Sequence, residues 1–329
     1  MISDNLFDEV LLQPSIEGAD ELFIVSGYAT AAMAFHHLES LQNLQNENMF
    51  PRVHLIIGMA SMNGLSISNH QAFKHIVESE FPHNFECSYV ISGAPVHSKI
   101  YSWYKDNSPS IGFVGSANYT QQAFGANQRE AMGVIEAVQG RQYYENLISD
   151  SIYCNHLDAE DYIEFYNYRR EITNGILETE NNETVDIPNS GELRSVAVSL
   201  LSRDGTVASR SGLNWGQRPE EGREPNQAYI RLTSNIYNTD FFPERGQHFT
   251  LLTDDNKVLI CTRAQDNGKA IHTPQNNSLI GEYFRNRLGV PFGNMVTNGD
   301  LAAYGRDEIT FYKIDEETYF MDFSQPTHG

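Results

Sequence analysis

Cysteine is scarce in this sequence: three residues, Cys87, Cys154 and Cys261, in a chain of 329, odd in number and far apart. They build neither a disulfide framework nor a zinc knuckle, so the expected setting is a reducing cytoplasm. No apolar run approaches the roughly 18–20 residues of a membrane helix, and no signal-peptide pattern opens the chain. Positive charge is scarce too. Twenty-two Lys and Arg face 43 Asp and Glu, a formal charge of −21. Taken as one number, that excess argues against nucleic acid, because duplex binding is led by Lys and Arg neutralising phosphates. Apolar residues are not lacking. At 40% hydrophobic and 11% aromatic, the chain can bury a sizeable core, which excludes a disordered acidic protein. The length suits two domains of about 150 residues each.

The charge divides unevenly. Residues 1–190 hold 8 basic and 25 acidic side chains, a net of −17, and residues 191–329 hold 14 and 18, a net of −4. Eleven of those 14 are Arg, whose planar fork suits bidentate recognition of phosphate or guanine. Between the halves, residues 172–192 are polar, acidic and end in Pro-Asn-Ser-Gly, which reads as a linker or a loosely packed crossing. The boundary is expected near residue 185, giving domains 1–185 and 186–329.

The first half alternates apolar runs (22–28, 53–59, 85–91, 98–104, 111–115, 131–135) with helical patterns (29–45, 66–80, 140–151, 158–169). That order predicts an α/β fold, a mixed sheet flanked by helices. The second half alternates apolar and polar positions in runs at 194–201, 228–233, 249–253, 257–262, 308–314 and 319–323, with one clear helix at 278–288. It predicts a mainly antiparallel β domain.

One stretch of the first half carries chemistry. Residues 96–104 alternate as a strand, which puts His97, Lys99 and Tyr101 on one face. A His-x-Lys pair sets an imidazole beside an ammonium; taken alone it is a weak signal. It is followed by a strand ending in Gly115-Ser116-Ala117-Asn118, where small residues admit a bound group and the Asn118 amide can donate to a phosphate oxygen. Asn127-Gln128-Arg129-Glu130 then leads into the next strand and offers a carboxylate. The plain alternative is an edge strand with solvated side chains and an ordinary turn. The three elements in order weigh against it. The remaining histidines are scattered without metal-ligand spacing, so no metal is expected in the chemistry.

His-Ser-Lys, Gly-Ser-Ala-Asn and Asn-Gln-Arg-Glu together resemble the signature of the nuclease branch of the phospholipase-D superfamily. The resemblance implies that His97 attacks phosphorus, that Lys99 and Asn118 hold the non-bridging oxygens, and that Glu130 orients the His. It also implies metal-independent chemistry. Many members carry an Asp five residues after the Lys; here that position is Tyr104, and Asp106 is offset, so Asp106 is left outside the site. The superfamily uses two histidines from two motif copies. This chain has one His-x-Lys, so a homodimer sharing one active site is expected.

In the second half, residues 209–232 form a long loop rich in Arg, Asn and Gln with one Trp, a composition suited to reading base edges. The 257–273 hairpin adds Arg263, Gln265, Asp266 and Lys269. Gly212 to Arg218, followed by Asn226 to Ile230, resembles the C-terminal domain of the NgoFVII-type restriction endonucleases. Those enzymes join a phospholipase-D-like nuclease domain to a pseudobarrel like the plant B3 DNA-binding domain. The resemblance implies two arms, 203–227 and 263–272, that grip the major groove of double-stranded DNA. The expected contacts are Arg210, Asn214, Trp215, Gln217, Arg218, Arg263, Gln265, Asp266 and Lys269, with packing under the loop as the plainer role for Trp215. Strand alternation puts Tyr229 in the core. A phospholipase or other phosphodiesterase, and a DNA-binding module with an inactive nuclease domain, are the alternatives. By analogy with the family, a separate helicase-like ATPase and cognate methyltransferases are candidate partners. No basic membrane patch supports a membrane partner.

Overall fold

The computed structural model of the chain describes residues 1–44, 50–125, 128–166, 168–173, 176–179, 184–185 and 193–325. The chain folds as two units, Met1–Tyr168 and Arg169–Gly329. This division lies before residue 185. Of the segment read as a linker, 172–192, only 172–173, 176–179 and 184–185 lie among the described residues; they belong to three short strands, Tyr168–Thr173, Ile176–Thr179 and Thr184–Val185, in a small sheet of their own. Its scattered β-branched residues favour such strands even without a continuous apolar run.

The first unit is built on seven strands: β1 Glu21–Ser26, β2 Arg52–Ile57, β3 Phe85–Val90, β4 Lys99–Lys105, β5 Ser108–Gly115, β6 Met132–Ile135 and β7 Ser151–Tyr153. Their order across the sheet is β6-β5-β4-β1-β2-β3-β7. β1 runs parallel to β2, and β2 to β3, while β4, β5 and β6 follow one another antiparallel from the other side of β1. Every residue of β1 is buried, as a central strand covered on both faces requires. The sheet's two faces can be read from this strand. Phe23 and Val25 pack with Ala137 and Tyr144 of helix α3 (Ala137–Ile148). On the other face Leu22 and Ile24 sit opposite Trp103 and Tyr101, and the Trp103 ring meets His37 of helix α1 (Ala31–Leu44). Helix α2 (Ile67–His75) packs beside α1. The helical pattern at 158–169 is cut to a single turn, Ala159–Tyr162, because Phe165–Tyr166 pairs with Leu65–Ser66 instead.

The second unit is a seven-stranded sheet curled nearly into a barrel. Its strands are β8 Ser195–Ser199, β9 Ile230–Arg231, β10 His248–Thr253, β11 Val258–Ala264, β12 Ala270–His272, β13 Glu308–Lys313 and β14 Thr318–Asp322, in the order β8-β13-β14-β10-β11-β12-β9. Phe242, Phe249, Phe311 and Tyr319 pack together at its centre. Helix α4 (Ser278–Leu288) lies where its periodicity places it. Arg287 on α4 donates to both oxygens of the buried Asp254 at 2.7 Å. Helix α5 (Asn298–Tyr304) begins with a Thr297–Asp300 capping box. Tyr229 is only half-buried. Ala228, Ile230 and Leu232 point inward, so alternation turns Tyr229 out, against the expectation of a core position.

Candidate active site and nucleic-acid interface

Strand direction gathers the chemistry-bearing residues of the first unit. β1 ends where antiparallel β4 begins, Ser26 opposite Lys99, and β5 ends where β6 begins, Gly115 opposite Met132. The residues just beyond these termini therefore share one end of the sheet: Tyr28, His97, Ser116, Asn118 and Glu130. His97 stands just ahead of β4, exposed, while Lys99 is buried. Lys99 Nζ lies 3.0 Å from His97 Nδ1 and donates to the His97 carbonyl at 2.7 Å. Burial holds the Lys99 ammonium below its usual pKa, against the opposing pull of the Glu130 charge.

Close backbone approach allows this packing. A Cβ on Gly27 would meet the His97 ring at 3.2 Å, and one on Gly58 would collide with the Val96 carbonyl. A Cβ on Gly115 would strike the Ala131 carbonyl, so the small residue there lets β5 and β6 close at the site. Asn118 Oδ1 accepts from the Tyr28 backbone N–H at 3.2 Å. Its amide nitrogen has no hydrogen-bond partner among the described residues. The loop carrying it is pinned from below, where Tyr101 donates to the Ala117 carbonyl at 2.8 Å and the Tyr119 N–H to Ser26 Oγ at 2.9 Å.

The Ser116 hydroxyl donates to the Glu130 carboxylate and accepts from the Ala131 N–H at 3.1 Å. No hydrogen bond joins Glu130 to His97 among the described residues. Tyr28, which carries no motif of its own, meets His97 edge to face at 5.6 Å and receives a 2.6 Å bond from Asn63 on its hydroxyl. Its signal was positional: it follows the C-terminal end of a central strand, where open α/β sheets place their ligands. Asp106 sits in the left-handed turn between β4 and β5, at the opposite end of the sheet.

The candidate contacts of the second unit separate by burial. Asn214 is fully buried; its amide donates to the Ala208 and Val296 carbonyls and its oxygen accepts from the Val296 N–H. Arg263 is buried and donates to the carbonyls of Tyr237, Pro243, Asn267 and Gly268. Both were expected to reach bases; their polar atoms instead hold loops together. Gln217 donates to Pro225 and Gly293 carbonyls, half-buried. Trp215 packs against Tyr229 with the Arg223 guanidinium 4.3 Å above its ring. Arg218 holds the Arg210 carbonyl at 2.7 Å and Glu221, and Arg210 pairs with Glu220. Asp266 is exposed, with Gln265 and Lys269 half-exposed on the short hairpin loop, and Gln265 has a positive φ of 63°. Arg285, fully buried on α4, donates to the carbonyls of Leu213, Pro225, Asn226 and Asn294 and so fastens the long loop to the helix.

Two classes of domain meet in this chain, a phospholipase-D-type nuclease domain and a B3-like DNA-binding domain. Residues 4–161 match the family model of the NgoFVII restriction endonuclease N-terminal PLD domain, and residues 190–315 that of the NgoFVII C-terminal B3-like DNA-binding domain. The chain belongs to the NgoFVII restriction endonuclease family. Among solved structures, NucT from Helicobacter pylori is 16% identical, with 46% of this chain and 91% of that one covered at a TM-score of 0.31. A polyphosphate kinase from Porphyromonas gingivalis is 12% identical, covering 47% and 23% at a TM-score of 0.29. No curated protein matches the chain.

Proposed function

We propose that the protein is a site-specific endonuclease that cuts double-stranded DNA without a metal ion, through a covalent phosphohistidine on His97. The observation that supports this most is the meeting of His97, Lys99, Asn118 and Glu130 at one end of the sheet. In this reading a His97 ring nitrogen bonds to phosphorus as the bond to the leaving oxygen breaks. Lys99 and the free amide of Asn118 donate to the non-bridging oxygens as their charge grows. Glu130 orients the His, and Ser116 holds that carboxylate at the rim of the site.

The leaving oxygen needs a proton, and one chain offers one His-x-Lys. Two copies therefore pair through their first units, and the second His97 acts as the acid. Water then attacks the phosphohistidine, which frees His97 and leaves a phosphate on the cut end. The second unit selects the site through its exposed arms, with Arg210, Trp215, Gln217, Arg218, Gln265, Asp266 and Lys269 as candidate contacts and Asn214 and Arg263 shaping the loops. Partner ATPase and methyltransferases would belong to the same cytoplasmic restriction system.

Unmethylated plasmid incubated with the protein in excess EDTA tests the proposal. Discrete fragments are expected, and His97→Ala abolishes them while duplex binding persists. A strict requirement for added Mg²⁺ overturns the metal-free chemistry. Intact plasmid beside retained binding reduces the chain to a DNA-binding module.

A further inference from the structure

The eleven arginines of residues 193–325 sort into two groups. Eight engage carboxylates or carbonyls, from Arg263, Arg285 and Arg287 inside the fold to Arg194 on Asp240 at its surface. The side chains of Arg203, Arg231 and Arg245 make no hydrogen bond or ion pair among the described residues. Two of these three line one groove of about 350 Å³, and the third cation on it, Lys269, likewise has no such partner. Hydroxyl residues, Ser199, Ser202, Thr233, Ser234 and Tyr237, complete its polar lining, and no carboxylate is among the lining residues.

The groove is built, not incidental. Arg231 on β9 sits opposite Ala270 on β12, and the Leu232 N–H donates to the Lys269 carbonyl at 2.8 Å, so the two cations are held on paired backbones. Buried Arg263 ties the Gly268 carbonyl, next to Lys269, to the Tyr237 carbonyl on the facing wall. Three like charges gathered without an internal counter-charge repel one another and favour an anion.

We infer that this groove seats backbone phosphates of duplex DNA, with Arg203, Arg231 and Lys269 as their donors; the inference rests on the reading of this unit as the DNA-binding one. The groove opens where the 203–227 loop begins and the 263–272 hairpin turns back. Phosphates seated there fix how the duplex lies between the two arms, and carry no sequence information themselves.

The test uses the full chain carrying His97→Ala, which prevents cutting, and a fluorescent duplex of random sequence. Binding is followed by anisotropy across a series of salt concentrations. Each phosphate contact contributes about −0.9 to the slope of log affinity against log salt. Arg203→Gln and Arg231→Gln are each expected to make the slope shallower by about 0.9, and the triple variant with Lys269→Gln by roughly 2.7. Both arginines are exposed, so their shortening leaves the fold intact, checked by circular dichroism. Arg245→Gln, an exposed arginine outside the groove, leaves the slope unchanged. A triple variant that keeps the parent's slope, or an equal change with Arg245→Gln, overturns the groove alone. A parent that binds no duplex overturns the reading of the whole unit.

Discussion

Tyr28 touches the candidate site three times, and each contact has a different consequence. Its N–H fixes Asn118 Oδ1, its ring borders His97, and its hydroxyl is held by Asn63. Removing the ring frees the imidazole to tilt, and small misplacements of a nucleophile cost up to roughly 10²-fold in rate. Tyr28→Ala is therefore expected to slow single-turnover cleavage by about 10- to 100-fold, while Tyr28→Phe keeps most of it. Equal losses in the two variants would place the effect on the hydroxyl rather than the ring. Lys99 sets a pH limit. Burial lowers its pKa from the usual 10.5, and the Glu130 charge opposes that shift. The clamp needs the ammonium, so cleavage falls as pH rises through this lowered value. Glu130→Gln removes the opposing pull, and the alkaline limb of the pH–rate profile should move to lower pH. An alkaline limb that stays in place in Glu130→Gln would separate the two residues.

At the scale of elements, the helices behind the sheet carry a built-in acid sensitivity. His37 on α1 lies between the Leu11 carbonyl and the Tyr119 hydroxyl, and burial lowers its pKa to about 3. His70 on α2 stacks on Phe165 and is lowered to about 4 by burial. Unfolded, both titrate near 6.5. Between those values the unfolded chain binds protons that the folded chain refuses, so stability is lost as pH falls below about 6.5. The loss is about 1.4 kcal/mol per pH unit for each histidine. Melting midpoints of the first unit between neutral and mildly acid pH should fall steeply, and His37→Gln with His70→Gln should flatten the curve. A curve of unchanged steepness in the double variant would refute this. Most elements were legible beforehand, because β1 to β6 are apolar runs and α4 has a clean helical period. Ser151–Tyr153 and Asn298–Tyr304 were not, being too short for periodicity to register, although Thr297-x-x-Asp300 was a readable cap. At the site, residue type and order marked His97, Lys99, Asn118 and Glu130. Tyr28 escaped because its contact with Asn118 spans 90 positions of sequence. In the second unit, composition alone could not separate Asn214 and Arg263, which hold loops, from Arg203 and Arg231, which face a groove.

For the whole molecule, the charge of −21 divides into −17 over residues 1–190, which hold the nuclease domain, and −4 over residues 191–329. The acidic half repels a phosphate backbone except near Lys99 and Arg129, so cutting should depend on capture by the other half and stay weak on random DNA. Sharing of one active site by two chains gives this scale its sharpest test. If each cut needs two intact His97 side chains, a dimer of one wild-type and one His97→Ala chain is inactive. When equal amounts are mixed and allowed to exchange, a wild-type chain finds an intact partner only half the time, so activity per wild-type chain falls to about half. It should fall further in proportion as more His97→Ala chain is added, because the active pairs follow the square of the wild-type fraction. Independent monomers would instead keep full activity per wild-type chain at every ratio. Cleavage rates across a mixing series, with exchange checked by tagged subunits, distinguish a curve that bends from a line that does not.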